Sequence, residues 1–559
     1  MPRRNGVVLL LISFALSQTA SAQDSPSHTP AWVSASQSVP VPSSDVPTEE
    51  ESPVPAAEPA PVLSDVDELF SPNESCDLSA CTGAQSCDGL GCDGMLGCDG
   101  CGTGKKECGG CLLTGCGEDD CFICSDKPLL HDYRGQTLFG DVKYSMGGEL
   151  RYRYMDERNR LRPMGNVRRD TYQLWRFSPF LEVGNDWIKG YVQAIDASAF
   201  NEDLPILPID ENRWDLLQYY VDVRLLQLES GDLRGQAGRI FLQYGDQHLI
   251  SPLGWSNTYR NFEGGKLYYS GEDWNIDGFV VRPNNGAASA AAFHPHSFDQ
   301  ADQSITFSGI YATYKKAKNG TIDLFWLWND QSEPVTTLQD GNRHTIGARY
   351  AGTYADKTGD ETILTYMWDL QGGYQFGRDV FMPVAGEQDV NAGFLSTIGG
   401  VTFNQVAWSP SIKGLFWWGS GDDDPTDGEI NTVNTLYPLG HAYWGLIDNF
   451  NGANLIDYSI QASVQPAKKL NLAAHYHWFD KASQNDYIYN IAGASLGNTA
   501  TPQKTLGNEL DLLATYQVNA NLQLQAGYFW FWYGDAVDNQ AALARDDAHQ
   551  FYFMTTWGF

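Results

Sequence analysis

The chain has 559 residues and a formal net charge of −33, with 36 Lys and Arg against 69 Asp and Glu. So acidic a polymer repels phosphate, and with no basic module in view it is not built to bind nucleic acid. Beyond the N-terminal leader, no stretch approaches the ~20 apolar residues of a helical span, which excludes a helical membrane protein.

The leader comes first. Arg3 and Arg4 precede the apolar run from Val7 to Leu16, and Ala20-Ser21-Ala22 offers small residues for cleavage, so residues 1–22 read as a secretory signal. Residues 23–75 are dominated by Ser, Pro, Glu, Ala and Val and are almost free of aromatics. Too little apolar surface is available there to offset chain entropy, and an extended acidic tether is expected. Residues 76–124 carry every cysteine: Cys76, Cys81, Cys87, Cys92, Cys98, Cys101, Cys108, Cys111, Cys116, Cys121 and Cys124. Three CxxC pairs would suggest zinc in a reducing compartment. Behind a secretory signal, disulfides are the expected chemistry, and the odd count leaves one thiol for a bridge to another chain or a free cysteine.

From residue 139 to 559 there is no cysteine, and apolar and polar residues alternate. Tyr458, Ile460, Ala462 and Val464 occupy one face of a strand, with Asp457, Ser459, Gln461 and Ser463 on the other. The pattern recurs at Leu470–Trp478, Leu510–Tyr516 and Leu522–Trp532, and it ends on Phe551, Phe553, Thr555, Trp557 and Phe559. Segments of about ten residues, greasy on one side, wet on the other and aromatic at their ends, predict an all-β, antiparallel transmembrane barrel in an outer membrane. The terminal aromatic resembles the signal read by the barrel-assembly machinery.

Fifteen of the twenty-one arginines fall between Arg134 and Arg282. Strand phase places several on the polar face: Arg151 and Arg153 opposite Leu150, Tyr152 and Tyr154; Arg176 opposite Trp175, Phe177, Leu181 and Val183; Arg224 opposite Leu217, Tyr219, Val221, Val223 and Leu225. A mid-membrane charge facing lipid costs about 2–4 kcal/mol, so these side chains are expected in the lumen. They read either as mutually neutralised filler or as a selective lining, since rings of charge are how pores choose ions.

The segment Gly238-Arg239-Ile240-Phe241-Leu242-Gln243-Tyr244-Gly245-Asp246, followed by Trp255-Ser256-Asn257 and Arg260-Asn261-Phe262-Glu263-Gly264, resembles the alginate export family of outer-membrane barrels. A second match runs through Leu436-Tyr437-Pro438-Leu439-Gly440-His441 to Asp448, then Asn454 and Tyr476-His477-Trp478-Phe479. The resemblance covers about residues 140–559. It implies a monomeric barrel of 18 strands whose charged lumen passes an anionic, alginate-like polysaccharide. Through the motif it adds Arg239 and Arg260 to Arg151, Arg153, Arg176 and Arg224 as pore-lining candidates.

Other classes leave weaker traces. No Gly-x-Ser-x-Gly or Ser-His-Asp set is present, His475 and His477 share a strand face without a nearby nucleophile, and no cofactor or metal is implied. Asp422-Asp423-Asp424-Pro425-Thr426-Asp427 would suit calcium by its carboxylates but lacks the full ligand pattern and reads as a solvated loop. A general diffusion porin, or a structural anchor cross-linked through the Cys-rich segment, is the alternative.

Overall fold

The computed structural model describes residues 130, 133–161, 168–203, 209–284, 298–331, 341–359, 361–380, 386–497 and 503–559. The signal, tether and disulfide expectations, with all eleven cysteines, lie outside these residues.

A short strand, β1 (Gln136–Phe139), leads into β2 (Val142–Arg158), β3 (Arg169–Gly184), β4 (Ile188–Phe200), β5 (Asn212–Leu228) and β6 (Gly231–Ile240). Then come β7 (Phe262–Gly271), β8 (Trp274–Pro283), β9 (Ile305–Ala317), β10 (Gly320–Gln331), β11 (Gly341–Thr358), β12 (Glu361–Asp379), β13 (Gln388–Phe403) and β14 (Ser411–Gly419). After the two-residue β15 (Glu429–Ile430) follow β16 (Leu455–Ala467), β17 (Leu470–Lys481), the small hairpin β18 (Ile488–Tyr489) and β19 (Ser495–Leu496), β20 (Thr505–Asn519), β21 (Leu522–Tyr533) and β22 (Ala548–Gly558). Consecutive long strands pair antiparallel, and β22 closes on β2 with Glu149 opposite Gly558 and Arg158 opposite His549. The result is a closed barrel of 18 strands, β2–β14, β16, β17 and β20–β22, in which every sheet edge is paired. Among the described residues no helix is long and apolar enough to cross a membrane, and strands do the crossing.

Turns are short at one end: Glu229-Ser230, Glu272-Asp273, Lys318-Asn319 and Lys468-Lys469 each join two strands. Asn319, at φ 57°, supplies the left-handed position that its turn needs. Connections at the other end reach 21 residues between β6 and β7 and 35 between β14 and β16. Short periplasmic turns and long extracellular loops are the outer-membrane pattern. The outer face carries Leu181, Val192, Val221, Leu267, Val280, Leu324, Ile460 and Leu512, all exposed from the protein, with Trp187 and Trp408 near the short turns and Trp328, Trp418, Trp478 and Trp532 near the long loops. Those are the two aromatic girdles of a barrel in lipid.

The predicted phases hold for β2, β3, β16, β17 and β20–β22, where Arg151, Arg176, Asp457, His477, Asp511 and Gln550 are buried opposite an exposed apolar row. Strand β5 departs from prediction. Gln193 pairs with Gln218 but Ala194 with Leu216, which leaves Leu217 as an extra residue in a bulge. The bulge flips the phase, so Leu217 is 1% exposed and packs inward with Ile195, while Trp214 and Leu216 face out. A one-residue slip exchanges the two faces of a strand, and alternation alone does not reveal where it occurs.

Candidate transport lumen and its inserted loops

Two of the long connections, β6–β7 and β14–β16, fold back into the barrel. Leu242, Leu249, Ile250, Leu253 and Trp255 from residues 241–261 pack with Val433, Leu439, Trp444, Leu446, Ile447 and Phe450 from residues 420–454. The same apolar cluster takes in Met155, Tyr172, Phe279, Phe325, Phe394, Trp417, Phe479, Phe529 and Tyr552, which project from strands all around the ring. The core of the molecule thus lies inside the barrel and narrows its lumen.

Backbone pairing zips the two loops together. Ile250 and Tyr437 form a parallel bridge, Ser251 N–H donates to the Tyr437 carbonyl at 2.9 Å, and Tyr437 and Leu439 N–H donate to Leu249 and Gln247, each at 2.9 Å. Aromatic faces complete the contact: His248 packs on Tyr443 at 3.5 Å, and Trp255 stacks on His441 at 4.6 Å. His441 Nδ1 lies 2.9 Å from Asp448 within its own loop. Burial, with Arg153 and Arg160 beside it, pushes the His441 pKa far down, so the ring is neutral.

Three of the arginines expected from strand phase grip the first loop. Arg151 donates to the carbonyls of Gly254 (3.0 Å), Trp255 (2.9 Å) and Ser256 (2.6 Å) and to Asn257 Oδ1 (3.4 Å). Arg153 donates to the Trp255 carbonyl at 2.5 Å with its guanidinium 3.3 Å from the Trp255 ring, a cation–π contact. Arg176 reaches the carbonyls of Gly254 (2.9 Å) and Ser256 (2.7 Å), pairs with Glu149 and covers the Tyr259 ring at 4.0 Å. All three are at most 2% exposed. Arg260 joins both loops, donating to Ser251 O at 3.3 Å and Pro438 O at 3.2 Å. Burial pushes its pKa down to about 10, and it keeps its proton at neutral pH.

The remaining two candidates sit elsewhere. Arg224 pairs with Asp232 at 3.1 Å, near the short β5–β6 turn. Arg239 stands opposite Tyr219 and Glu263 in the ladder, on the face that carries Val221 and Leu267, the outer one. There it is enclosed by Glu263 (2.7 Å), Asp215 (3.3 Å) and the Asp299 carbonyl (2.7 Å) at the rim.

Alternation of β11 around the exposed Ile346 would have revealed two inward arginines that the sequence reading passed over. Arg343 binds Asp379 (2.9 Å), Gln375 (3.0 Å) and the Thr432 carbonyl of the second loop (3.2 Å). Arg349 lies between Asp369 (2.5 Å) and Asp323 (3.0 Å), with Asp246 of the first loop at 4.0 Å. Burial raises the Asp246 pKa, but His248 and Arg349 outweigh it and hold the carboxyl below its usual range.

The Asp422–Asp427 run spends its carboxylates on local bonds: Asp422 accepts from Asp424 and Asn431 N–H, Asp423 from the Ser483 hydroxyl and Asp424 from Thr426. On the opposite stretch of wall the inward residues are acids and histidines. Asp457 on β16, His475 and His477 on β17, and Glu509 and Asp511 on β20 lie side by side. Glu509 accepts the Ile447 N–H of the second loop at 2.7 Å. Gly445, at φ +88°, passes so close that a Cβ there would lie 2.5 Å from the Glu509 carboxylate.

The model of the family described as alginate export matches residues 142–551. No curated protein matches the chain. Among solved structures, the outer membrane protein OprD of Pseudomonas aeruginosa aligns at 12% identity over 74% of this chain and 94% of its own, with a TM-score of 0.49. A BenF-like porin of Pseudomonas fluorescens Pf-5 aligns at 12% identity over 74% and 98%, also at 0.49, and OccK8 (OprE) of P. aeruginosa at 13% over 74% and 98%, at 0.47. With 18 closed strands, a lipid-facing apolar band and a family match over most of its length, this chain belongs to the alginate export family of outer-membrane channels.

Proposed function

We propose that the channel passes anionic solutes, an alginate-like polyuronate foremost, across the surface of the arginine-held loop. One observation carries this reading. Arg151 is bonded to four neutral oxygens, and Arg260 to two carbonyls, so these bonds fix each guanidinium without cancelling its charge. Arg153 adds to the same field, and Arg176, paired with Glu149, adds less. A polyanion that meets fixed positive charge through many weak contacts slides, whereas one tight site would trap it. Arg224 and Arg239, held against carboxylates, contribute least.

A second reading, a general diffusion porin, is favoured by Arg349, which three aspartates enclose so that this sector is net negative. Reversal potentials in a salt gradient across a planar bilayer separate the two. The first reading requires an anion-preferring parent and a shift toward cations in an Arg151→Gln, Arg260→Gln variant. A cation-preferring parent would favour the porin.

A further inference from the structure

The acid and histidine wall gathers ligand-type side chains from two neighbouring strands. His475 faces Asp511 directly across the β17–β20 ladder, and His477 faces Glu509. One ligand atom each from His475, His477 and Asp511 lie within 4.8 Å of one another. His477 Nδ1 is 2.9 Å from Asp457, which fixes the ring with Nδ1–H toward that carboxylate. Nε2 then carries the lone pair, and it points at Asp511 from 3.9 Å. That is too long for a hydrogen bond.

Asp511 is 1% exposed, and neither of its oxygens, nor Glu509 Oε2, makes a hydrogen bond of good geometry: only the Leu446 N–H and the two carboxyl groups themselves lie alongside. Two adjoining buried carboxylates with so few donors crowd negative charge into a dry site, which a bound cation would offset. Three carboxylates, Asp457, Glu509 and Asp511, surround the spot. The cation facing His475 is Lys413, two strands away through Gln461, and the sum stays negative.

We infer that His475, His477 and Asp511 form a binding site for a divalent transition-metal ion of the zinc class. Ligands at about 2.0–2.2 Å from such an ion lie a little over 3 Å apart, a contraction of less than 1 Å from the His477–Asp511 separation. Two imidazoles and one carboxylate suit zinc, nickel or copper better than calcium, and three protein ligands leave a position for water or solute. Asp457 takes the part of the outer carboxylate that holds a metal-bound histidine in its tautomer. His475, the least buried of the three, gives the site its approach from the lumen.

The probe is cobalt(II), added to full-length, tag-free protein folded in detergent with its cysteines reduced and alkylated, which removes thiolate binding outside the barrel. The parent should take up one equivalent with a visible d–d spectrum of nitrogen and oxygen ligation, displaced by zinc. His475→Gln, which leaves the Asp457–His477 bond in place, should lose that spectrum. Asp457→Asn should weaken binding about 10–100-fold, as loss of an outer partner does. Heat-modifiable gel mobility certifies that each variant is folded. A folded, alkylated parent that takes up no stoichiometric cobalt, or equal affinity in parent and His475→Gln, would overturn the site and leave His477 as an imidazolium between two aspartates.

Discussion

Two sectors of the inner wall solve opposite problems. On β2 and β3 the guanidiniums of Arg151, Arg153 and Arg176 are buried, and loop 241–261 turns its carbonyls toward them, so each of these cations is bonded and the loop is pinned. On β16 and β20 the carboxylates of Asp457, Glu509 and Asp511 are buried around the histidines of β17. There loop 420–454 offers only the N–H groups of Leu446 and Ile447, and several oxygens go without a bond of good geometry. A loop bend readily presents a row of carbonyls, whereas N–H groups are mostly spent in pairing, so the basic sector is closed by backbone and the acidic one invites an external cation.

The sharpest way to break this comparison is to cut the arginine side. In an Arg151→Ala, Arg176→Ala variant the carbonyls of Gly254 and Ser256 lose their donors, at about 1.5–3 kcal/mol for each charged bond. The closed strand ladder is untouched, so the barrel should still shift on heating in gels, while single-channel conductance rises as the loop loosens. Unchanged conductance would mean that the arginines do not hold the constriction. A smaller effect is expected on the acidic side. Glu509→Gln keeps an acceptor for Ile447 N–H and removes one buried charge, so conductance should stay near the parent's while reversal potentials move toward anions. A conductance rise as large as that of the arginine variant would erase the distinction between the sectors.

The smallest effect concerns the rim, where neither solution applies fully. Burial and the neighbouring Asp215 push the Asp299 pKa up to about 7 from its ordinary value of 3.8. A raised acid stabilises the fold when protonated, so its contribution is full below about pH 4 and is lost as pH rises through 7. Limited proteolysis around residues 298–304 should therefore quicken from pH 5 to pH 8, and Asp299→Asn should flatten the profile. A parent already flat would show that Asp299 is ionised throughout.

Much of the barrel was legible because lipid imposes a strict rule on one face of each strand, and Tyr458, Ile460, Leu512 and Phe553 obey it. The rule fails where a bulge intervenes, as at Leu217, whose local sequence is as apolar as its neighbours'. Arg239 entered through a motif, and a motif carries no phase; only the ladder shows that it shares a face with Tyr219. The infolding of the loops was invisible because nothing in Gly254-Trp255-Ser256 states that its acceptors will meet Arg151, about a hundred residues earlier. His475 and His477 were seen on one face, but their partner Asp511 comes from the next barrel strand, and register is a tertiary property.

The central claim, that an arginine-held loop in this outer-membrane channel receives polyanions, is tested most directly by block of single-channel current in planar bilayers. An oligouronate should interrupt the parent's current at concentrations where a neutral oligosaccharide of equal length does not, and the Arg151→Gln, Arg260→Gln variant should lose that preference. Equal block by both sugars in the parent would contradict the account.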